Sequence, residues 1–502
     1  MDSISALISK SEELRISARR SDEEYDRCIR DHVASVRQSL SSKTLDLIAT
    51  DHTLLDHFDP ATDSITYLLL LLLRIQTLQQ KTQETLPGDL LPSGDLWPKC
   101  TRYLKTFDPI QLLKLLSRQD FPTPYLKVDS LSCADSPQPL LAVPLIRDAM
   151  LKLDPSGAVF TSMHLLFVRL CLRARAYSYS LPILEKHICH FPGPAERVSS
   201  KSSPVLCAEH ESSLAFINAS SGLSSPLSCS DYLQYFLFGG MIYLALKEWA
   251  KASHFLEVVI SMPTNGPISM VMVVAYKKWL LVGLLEAGKL RSPPSVVAPH
   301  VVRIYQSLAR PYVNFAQAFE HGDLGRLDAE VGAAEDIWRK DNNMGLVSQV
   351  MNSFSRHALV GVGETFAALT IADLIGQSSS LPCDKVAAES VIASLIISGA
   401  LDATLVQTPG HSDAAMLRFS GMPRLCPSSH ELRLQTMFTK ERGSLEGLMM
   451  AARENIHKLG VSPEFVDHVH KGQVWAGAGE AHLGIGDDAG LEIDEDIMGD
   501  MP

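Results

Sequence analysis

The sequence predicts a mainly α-helical protein: a tetratricopeptide-like helical-repeat solenoid, followed by a winged-helix module and a C-terminal helix. Three observations predict this fold class. Apolar residues recur at helical spacing along most of the chain. Two pairs of helical segments match each other at a fixed offset. Two short alternating segments near residue 400 follow two further helices, which is the order of a winged helix.

The composition is that of a large folded protein. Its 502 residues are 46% apolar and 20% charged, which excludes the intrinsically disordered class and predicts several structural units. The net charge of -12 opposes binding of the whole molecule to nucleic acid or to an anionic membrane. The nine cysteines form no CxxC pair, and the first residues lack the apolar core of a secretory signal. We therefore expect reduced thiols and a location in the cytoplasm and nucleus.

Residues 1–158 predict an N-terminal helical region. Its most apolar part is a run of six leucines, Leu68–Leu73, which a basic residue follows. The run is far shorter than the roughly 20 apolar residues of a membrane span, so it predicts a buried core helix over residues 63–84. A further helix is predicted over residues 108–119, with Asp108 as its N-cap.

Residues 159–357 predict the helical repeats. Segments 164–190 and 232–262 each contain two helices and align at an offset of 72 residues, so that Tyr177 matches Trp249. The first helix of each pair is predicted to end near this aromatic residue, and a small residue follows three positions later. That spacing lets two antiparallel helices cross closely, as in tetratricopeptide-like repeats. Two unrelated helical hairpins would give the same pattern, so both interpretations stay open.

The rest of the repeat domain is less regular. A third helix pair is predicted over residues 268–290, and more helices over residues 296–355. Between the two matched pairs, 11 of the 30 residues of segment 199–228 are serine. This composition predicts a flexible insertion.

Residues 358–421 predict the winged helix. One helix is expected over residues 361–377 and a second over residues 384–398. Two alternating segments, Leu401–Val406 and Ala415–Phe419, then flank a turn that contains Pro-Gly. Alternating segments on both sides of such a turn predict a β-hairpin.

Residues 430–470 predict a C-terminal helix that joins a bundle, with its regular part over residues 430–459. Apolar residues at spacings of four, seven, three, one and seven fall on one side of this helix. They are Leu434, Phe438, Leu445, Leu448, Met449 and Ile456. The final 31 residues contain eight acidic residues and no lysine or arginine, which predicts a disordered acidic tail over residues 471–502.

The patterns that bind metals and nucleotides are incomplete. His468-Val469-His470 is a His-x-His pair as in zinc metalloproteases, but no serine follows it to complete such a site. His187 and His190 can share a helix face, yet no further ligand lies near them in sequence. Gly361-Val362-Gly363 lacks the third glycine of a dinucleotide-binding loop, and no GxxxxGK[ST] or GxSxG motif occurs. The sequence therefore predicts no catalytic residue, no cofactor and no metal site.

The charge of the predicted winged helix opposes binding to DNA. Residues 358–420 contain two basic residues, Lys385 and Arg418, against six acidic residues, which gives a net charge near -4. Contacts with phosphates need the opposite sign. The open edge of the small sheet can instead pair with the edge of a neighbouring protein. We expect protein partners, and neither nucleic acid nor membrane.

Several stretches carry a resemblance to a known family. They are Phe238–Tyr243, Ala275–Lys278, Arg339–Val347, the winged-helix stretch 364–420 and Val461–Val466. Helical repeats followed by a winged helix are the plan of the PCI family. Within it, the chain resembles the third-subunit family of the constitutive photomorphogenesis (COP) signalosome over about residues 100–470. The serine-rich insertion and the acidic tail depart from the shorter members.

The resemblance implies a non-catalytic structural subunit of the complex that removes the ubiquitin-like modifier NEDD from cullin ubiquitin ligases and so regulates ubiquitin-dependent degradation. In such complexes winged helices line up and C-terminal helices join a common bundle. The implied partners are other signalosome subunits, and cullin ligases through the complex. A PCI subunit of the proteasome regulatory lid and a nucleic-acid-binding translation initiation subunit are the alternatives. The expected interface residues are Leu401, Leu405 and Phe419 in the winged helix, and Leu434, Phe438, Leu445, Leu448, Met449 and Ile456 in the last helix.

Two of the matching stretches also predict local structure. A glycine within a helix costs about 1 kcal/mol relative to alanine, so Gly239 and Gly240 predict close helix packing at this point. Asn342 or Asn343 suits the N-cap of the helix that holds Val347. Neither feature implies catalysis.

Overall fold

A computed structural model of the chain shows a mainly helical protein with one small sheet in the part that it describes. The described residues are 22–39, 54–82, 94–116, 139–188, 224–263, 268–377, 384–407, 415–419 and 428–461, together with positions 9, 11–13, 89, 190, 217 and 381. The predicted fold class is confirmed.

The described helices and strands fall into three groups along the chain. The N-terminal region contains α1 (Asp22–Ser39), α2 (Ser64–Thr82), α3 (Leu96–Thr106), α4 (Pro109–Leu116) and α5 (Ala142–Leu153), with short 3-10 helices at Leu54–His57 and Pro139–Leu141. The repeat region contains α6 (Ser162–Ala174), α7 (Tyr177–Leu184), α8 (Cys229–Ala245), α9 (Trp249–Ile260), α10 (Met270–Ala287), α11 (Pro299–Leu308), α12 (Arg310–His321), α13 (Leu324–Ala333), α14 (Glu335–Lys340) and α15 (Met344–Thr365). The remaining elements are β1 (Ala368–Thr370), α16 (Ile371–Gln377), α17 (Lys385–Ile397), β2 (Ala403–Gln407), β3 (Ala415–Phe419) and α18 (Ser428–Val461).

The leucine run lies inside α2 and is buried in the core of the N-terminal region. Leu68, Leu70 and Leu71 are almost completely buried, and they share this core with Tyr25 and Ile29 of α1. None of the described helices combines the length and the apolar character that a membrane span requires. The prediction of a buried core helix is confirmed.

Asp108 caps α4 as predicted. Its Oδ1 accepts a hydrogen bond from the backbone N–H of Ile110 at 3.0 Å. The backbone N–H of Asp108 donates to Ser64 Oγ at 2.7 Å, so the starts of α4 and α2 are tied together.

The two matched helix pairs have the same turn. Arg175 between α6 and α7, and Lys247 between α8 and α9, adopt left-handed backbone angles, with φ of 53° and 61°. In each turn the N–H of this residue bonds the carbonyl three residues back, and the next N–H bonds the carbonyl five residues back. These are the two bonds of a Schellman motif. Because the turns match at the offset of 72 residues, the structure favours a repeat over two unrelated hairpins.

The predicted helix ends in these pairs are wrong by a few residues. Tyr177 and Trp249 open the second helix of each pair, and the first helices end at Ala174 and Ala245. Glycine is the usual stop signal at the left-handed position, and here arginine and lysine occupy it. The sequence therefore gives no sign that the helix ends there.

Gly239 and Gly240 lie where α8 crosses its neighbours closely, as predicted. A Cβ atom on Gly239 would lie 2.7 Å from the Phe255 ring and 3.1 Å from Leu184 Cδ2. A Cβ atom on Gly240 would lie 3.1 Å from Leu256 Cδ2. The prediction of close helix packing is confirmed.

The predicted third pair over residues 268–290 is wrong. This segment is one helix, α10, which ends at Gly288 with φ of 65°. Side chains on all of its sides are buried, among them Met272, Trp279 and Leu284. A helix surrounded by others shows no polar face, so its apolar residues alone do not distinguish one long helix from two short ones.

The winged helix contains a strand that the sequence did not reveal. In place of the predicted helix over residues 361–377, α15 ends at Thr365, β1 follows, and α16 begins at Ile371. Thr370 starts α16, because its Oγ1 accepts a hydrogen bond from the N–H of Asp373 at 3.2 Å. A strand of three residues is too short for an alternation of apolar and polar residues to become visible.

The predicted β-hairpin is confirmed in a sheet of strand order β1-β3-β2. The helix before it, α17, ends as Gly399 takes a φ of 69°. Residues 408–414, which contain the predicted Pro-Gly turn, lie outside the described residues. The order α15-β1-α16-α17-β2-β3 is that of a winged helix, a relative of the helix-turn-helix.

The remaining predictions concern the insertion and the C-terminal end. Of segment 199–228, only Ile217 and residues 224–228 are described, and Ser224 Oγ accepts a hydrogen bond from the N–H of Ser162 at 3.0 Å. The last helix is confirmed as α18, which extends two residues beyond the prediction at each end. The predicted tail over residues 471–502, together with His468 and His470, lies outside the described residues.

Candidate functional site

The last helix presents an exposed apolar face in the part of the chain that the structure describes. α18 has 34 residues, and the side chains of Phe438, Leu445, Leu448, Met449 and Ile456 are between 51% and 71% exposed. The backbone of Leu434 is part of the same helix, and its side chain lies outside the described residues. Exposed apolar side chains along one face are a feature of protein interaction surfaces rather than of monomer surfaces.

The predicted interface residues of the winged helix differ in exposure. Leu401 is only 4% exposed, Leu405 is exposed, and Phe419 is half-buried. Leu401 therefore packs within the chain itself. Residues in β3 alternate, with Ala415 and Leu417 buried.

Other apolar side chains of the winged helix face solvent and were missed in the sequence. Met416 of β3 and Val406 of β2 are exposed, as are Val386 and Ile397 at the two ends of α17. The alternation of β3 was a usable signal for Met416, since its buried neighbours in sequence place it on the opposite face. Val386 carried no such signal, because α17 is apolar on nearly all sides. In this helix Ala388 and Ile392 are the buried residues.

Two of the stretches that carried the resemblance meet in space. Lys277 and Lys278 lie in the middle of α10, and Asp341 and Asn343 lie between α14 and α15, more than 60 residues later. Lys277 Nζ and Asp341 Oδ2 form an ion pair at 2.7 Å. Lys278 Nζ donates a hydrogen bond to Asn343 Oδ1 at 2.5 Å.

Tyr312 of α12 joins these two contacts. Its hydroxyl donates to Asp341 Oδ2 at 2.8 Å and accepts from Asn343 Nδ2 at 2.8 Å. The rings of Trp338 and Tyr312 pack nearly at right angles, with their centroids 4.5 Å apart. We call the five residues Lys277, Lys278, Tyr312, Asp341 and Asn343 the polar network.

Asn343 occupies the predicted N-cap position of α15, but its side chain does not cap the helix. The side chain turns inward to Lys278 and Tyr312, while the backbone N–H donates to Trp338 O at 2.9 Å. The preceding Asn342 takes the left-handed position of a Schellman motif, with φ of 53°. The prediction of the helix start is confirmed, and the role of the asparagine side chain differs.

Burial and hydrogen bonding shift the pKa values within the polar network. Burial lowers the pKa of Lys278, and the charge of Asp341 acts against this effect. Burial alone would raise the pKa of Asp341, but hydrogen bonds from Lys277 and Tyr312 outweigh it and hold that pKa below its usual value. Burial raises the pKa of Tyr312. The network holds α10, α12 and the start of α15 together.

His164 is a further buried titratable group of the repeat region. Its Nδ1 accepts a hydrogen bond from the N–H of Thr161 at 3.1 Å, so it caps the start of α6. Burial lowers the pKa of His164 to about 4. A small cavity of about 60 Å³ lies beside it, lined mainly by apolar side chains such as Met150 and Ile183. This histidine is neutral at neutral pH and serves helix α6 as a cap.

Residues that could bind a metal do not cluster in the described part of the chain, where no group of three or more such side chains occurs. His187 belongs to no such group, and His190 forms an isolated parallel bridge with Val159.

The comparisons with known proteins match this architecture. A family model for the N-terminal helical repeats of COP9 signalosome complex subunit 3 matches residues 29–208 and 209–302. The chain is 39% identical to COP9 signalosome complex subunit 3 of Emericella nidulans over 96% of both chains. It is 26% identical to the protein of the same name from Neurospora crassa, again over 96% of both chains. The protein of that name from Dictyostelium discoideum is 29% identical over 54% of this chain and 58% of its own length. The chain belongs to the family of COP9 signalosome complex subunit 3.

Proposed function

We propose that the chain is a non-catalytic structural subunit of the COP9 signalosome, in which it contacts other subunits through its winged helix and its last helix. The apolar face of α18 is the observation that carries this proposal. Each leucine on this face gains about 1.5–3 kcal/mol when it becomes fully buried. A subunit that contributes such a helix to a bundle buries this surface on assembly.

The function of the complex defines the role of the subunit. The complex whose third subunit this chain resembles removes the ubiquitin-like modifier NEDD from cullin ubiquitin ligases. We propose that the chain supports this reaction by holding the assembly together. Its cullin contacts would be made through the complex. We expect it in the cytoplasm and the nucleus, where cullin ligases act, without a cofactor, a metal ion, nucleic acid or membrane as partner.

The winged helix supports the proposal through its outward-facing side chains. Val406 and Met416 add exposed apolar surface to the sheet, whose outer strands are β1 and β2. An outer strand has unpaired backbone groups that can bond to a strand of a neighbour. We propose that Leu405, Val406 and Met416 contribute to this contact, whereas the buried Leu401 supports it from within.

Co-expression tests the function. The full chain, with an affinity tag, is produced together with the other signalosome subunits and purified through that tag. We expect stoichiometric recovery of the complex, deneddylase activity in the complex, and none in the isolated chain. Co-expression with the subunits of the proteasome regulatory lid is the control for specificity. Recovery with the lid subunits instead, or activity in the isolated chain, would contradict the proposal.

A further inference from the structure

Helix α15 belongs to two parts of the chain at once. Its first half contributes Val347, Val350 and Phe354 to the core of the repeat region. Its second half contains Leu359, which is buried outside that core, and the helix then leads within three residues into β1 of the winged helix. The direction of α15 therefore determines where the winged helix lies relative to the repeats.

The start of α15 is the point at which the polar network holds it. Asn343 connects to Lys278 of α10 and to Tyr312 of α12 through its side chain, and to Val347 through its carbonyl at 3.0 Å. Asp341, two residues earlier, connects to the same two helices through Lys277 and Tyr312. Hydrogen bonds to two helices fix a direction, because each has a preferred distance and angle.

Stability alone explains this arrangement poorly. Lys278 is 5% exposed, and its one described hydrogen-bond acceptor is the neutral amide oxygen of Asn343. An apolar side chain of similar size would avoid the cost of burying an ammonium group, and in some proteins a buried polar group of this kind is retained because it fixes a defined geometry. Apolar packing of Val347 and Phe354 tolerates small rotations, whereas the bonds of Asn343 do not.

We propose that the polar network is a positioning device, which sets the direction of α15 and thereby presents the winged helix to neighbouring subunits. Tyr312 is its central positioning residue, since among the described groups of the network its hydroxyl is the one bonded to both Asp341 and Asn343. The first measurement below concerns the isolated chain and is independent of the proposed function, and only the second measurement rests on it.

Tyr312→Phe and Tyr305→Phe form a matched pair of variants. Both tyrosines are fully buried in the core of the repeat region, and each loses one hydroxyl. The Tyr305 hydroxyl donates to Ile260 O at 3.3 Å and takes no part in the polar network. Trp338 packs against the ring of Tyr312, and that contact is retained in the phenylalanine variant.

The first measurement is the distance distribution between the repeats and the winged helix. Fluorophores are attached through unnatural amino acids at Ala250 on α9 and Ser390 on α17, both of which are exposed. Single-molecule energy transfer in the full-length chain then reports this distance. We expect a broader or shifted distribution for Tyr312→Phe and an unchanged one for Tyr305→Phe. An unchanged distribution for Tyr312→Phe, or the same change in both variants, would overturn the proposal.

The second measurement is the affinity of the full-length chain for the other signalosome subunits. In Tyr312→Phe, we expect the winged helix to be in the binding direction for only part of the time. The affinity is then reduced in proportion to that fraction, by about fivefold to tenfold. We expect the affinity of Tyr305→Phe to match that of the wild type. If the wild type itself does not bind these subunits, the proposed function fails, and the distance measurement still decides the present proposal. If the distance distribution of Tyr312→Phe changes but its affinity equals that of the wild type, the claim that the network presents the winged helix to neighbouring subunits would be overturned.

Discussion

Lys278 and Asn343 lie 65 residues apart in the sequence, and their side chains form a buried hydrogen bond of 2.5 Å from Nζ to Oδ1. Both residues belong to stretches by which the chain resembles its family. The bond therefore connects α10 of the repeat region to the start of α15, the helix that leads into the winged helix.

Asn343→Ala tests the energetic role of this bond. The variant removes the described acceptor of the buried Lys278 ammonium and one of the two hydrogen bonds of the Tyr312 hydroxyl, so we expect the free energy of unfolding to fall by about 2–4 kcal/mol. Urea unfolding followed by tryptophan fluorescence measures it, because Trp338 packs directly on Tyr312. Asn352 is exposed on the same helix, and Asn352→Ala should change stability by less than about 0.5 kcal/mol. Equal effects of both variants would contradict the role of the network.

Arg175→Gly and Lys247→Gly should stabilise the repeats. Both residues adopt left-handed angles, which strain any residue with a Cβ atom and suit glycine. We expect each variant to raise the free energy of unfolding by about 0.5–1 kcal/mol. Ser261 also ends a helix but has a φ of -88°, so Ser261→Gly should not be stabilising. A loss of stability at the first two positions would show that the turns do not have this geometry.

Gly239→Ala should destabilise the close crossing of α8 and α9. The new Cβ atom would approach the Phe255 ring to 2.7 Å, so the ring or the helix must move. We expect a loss of about 1–3 kcal/mol by thermal or urea unfolding. In the described part of the chain, no atom apart from the chain neighbours and nearby backbone of α13 lies within 4 Å of a Cβ position on Gly332, and Gly332→Ala should be stabilising through helix propensity. Partial rescue of Gly239→Ala by Phe255→Leu would locate the clash; a neutral Gly239→Ala would contradict the packing.

Asp341 gives the polar network a dependence on pH. Its folded-state pKa lies below the usual value of 3.8, although burial alone would raise it, because Lys277 and Tyr312 bond the ionised form. A lowered folded pKa contributes stability that is fully present above the unfolded pKa and is lost as the pH falls through the folded value. We expect the difference in unfolding free energy between wild type and Asp341→Asn to be constant near neutral pH and to shrink below about pH 4. A difference that is independent of pH down to acid unfolding would contradict this assignment.

The sequence predicts the fold where its signals are local. The leucine run, the N-cap at Asp108 and the β-hairpin are found as predicted, because spacing, capping and alternation are visible in one sequence. The strand β1 and the turn at Lys247 were missed, since a three-residue strand and a left-handed lysine carry no local signal. The polar network was beyond prediction because its residues are separated by up to 66 positions and meet only in the folded chain. The domain boundaries and the interface residues stay predictions.

The binding of the chain to the other signalosome subunits, compared between variants of its last helix, tests the central claim most directly. In the variant Leu445→Asp/Leu448→Asp, two charges replace apolar side chains on the exposed face of α18. The matched control Thr436→Asp/Thr439→Asp has the same spacing on the opposite side of the helix, and both threonines are exposed. We expect the leucine variant to lose binding to the other signalosome subunits and to keep the thermal unfolding of the isolated chain, and the control to keep both. Intact binding of the leucine variant, or an equal loss of stability in the isolated chain, would show that this face is not the subunit contact.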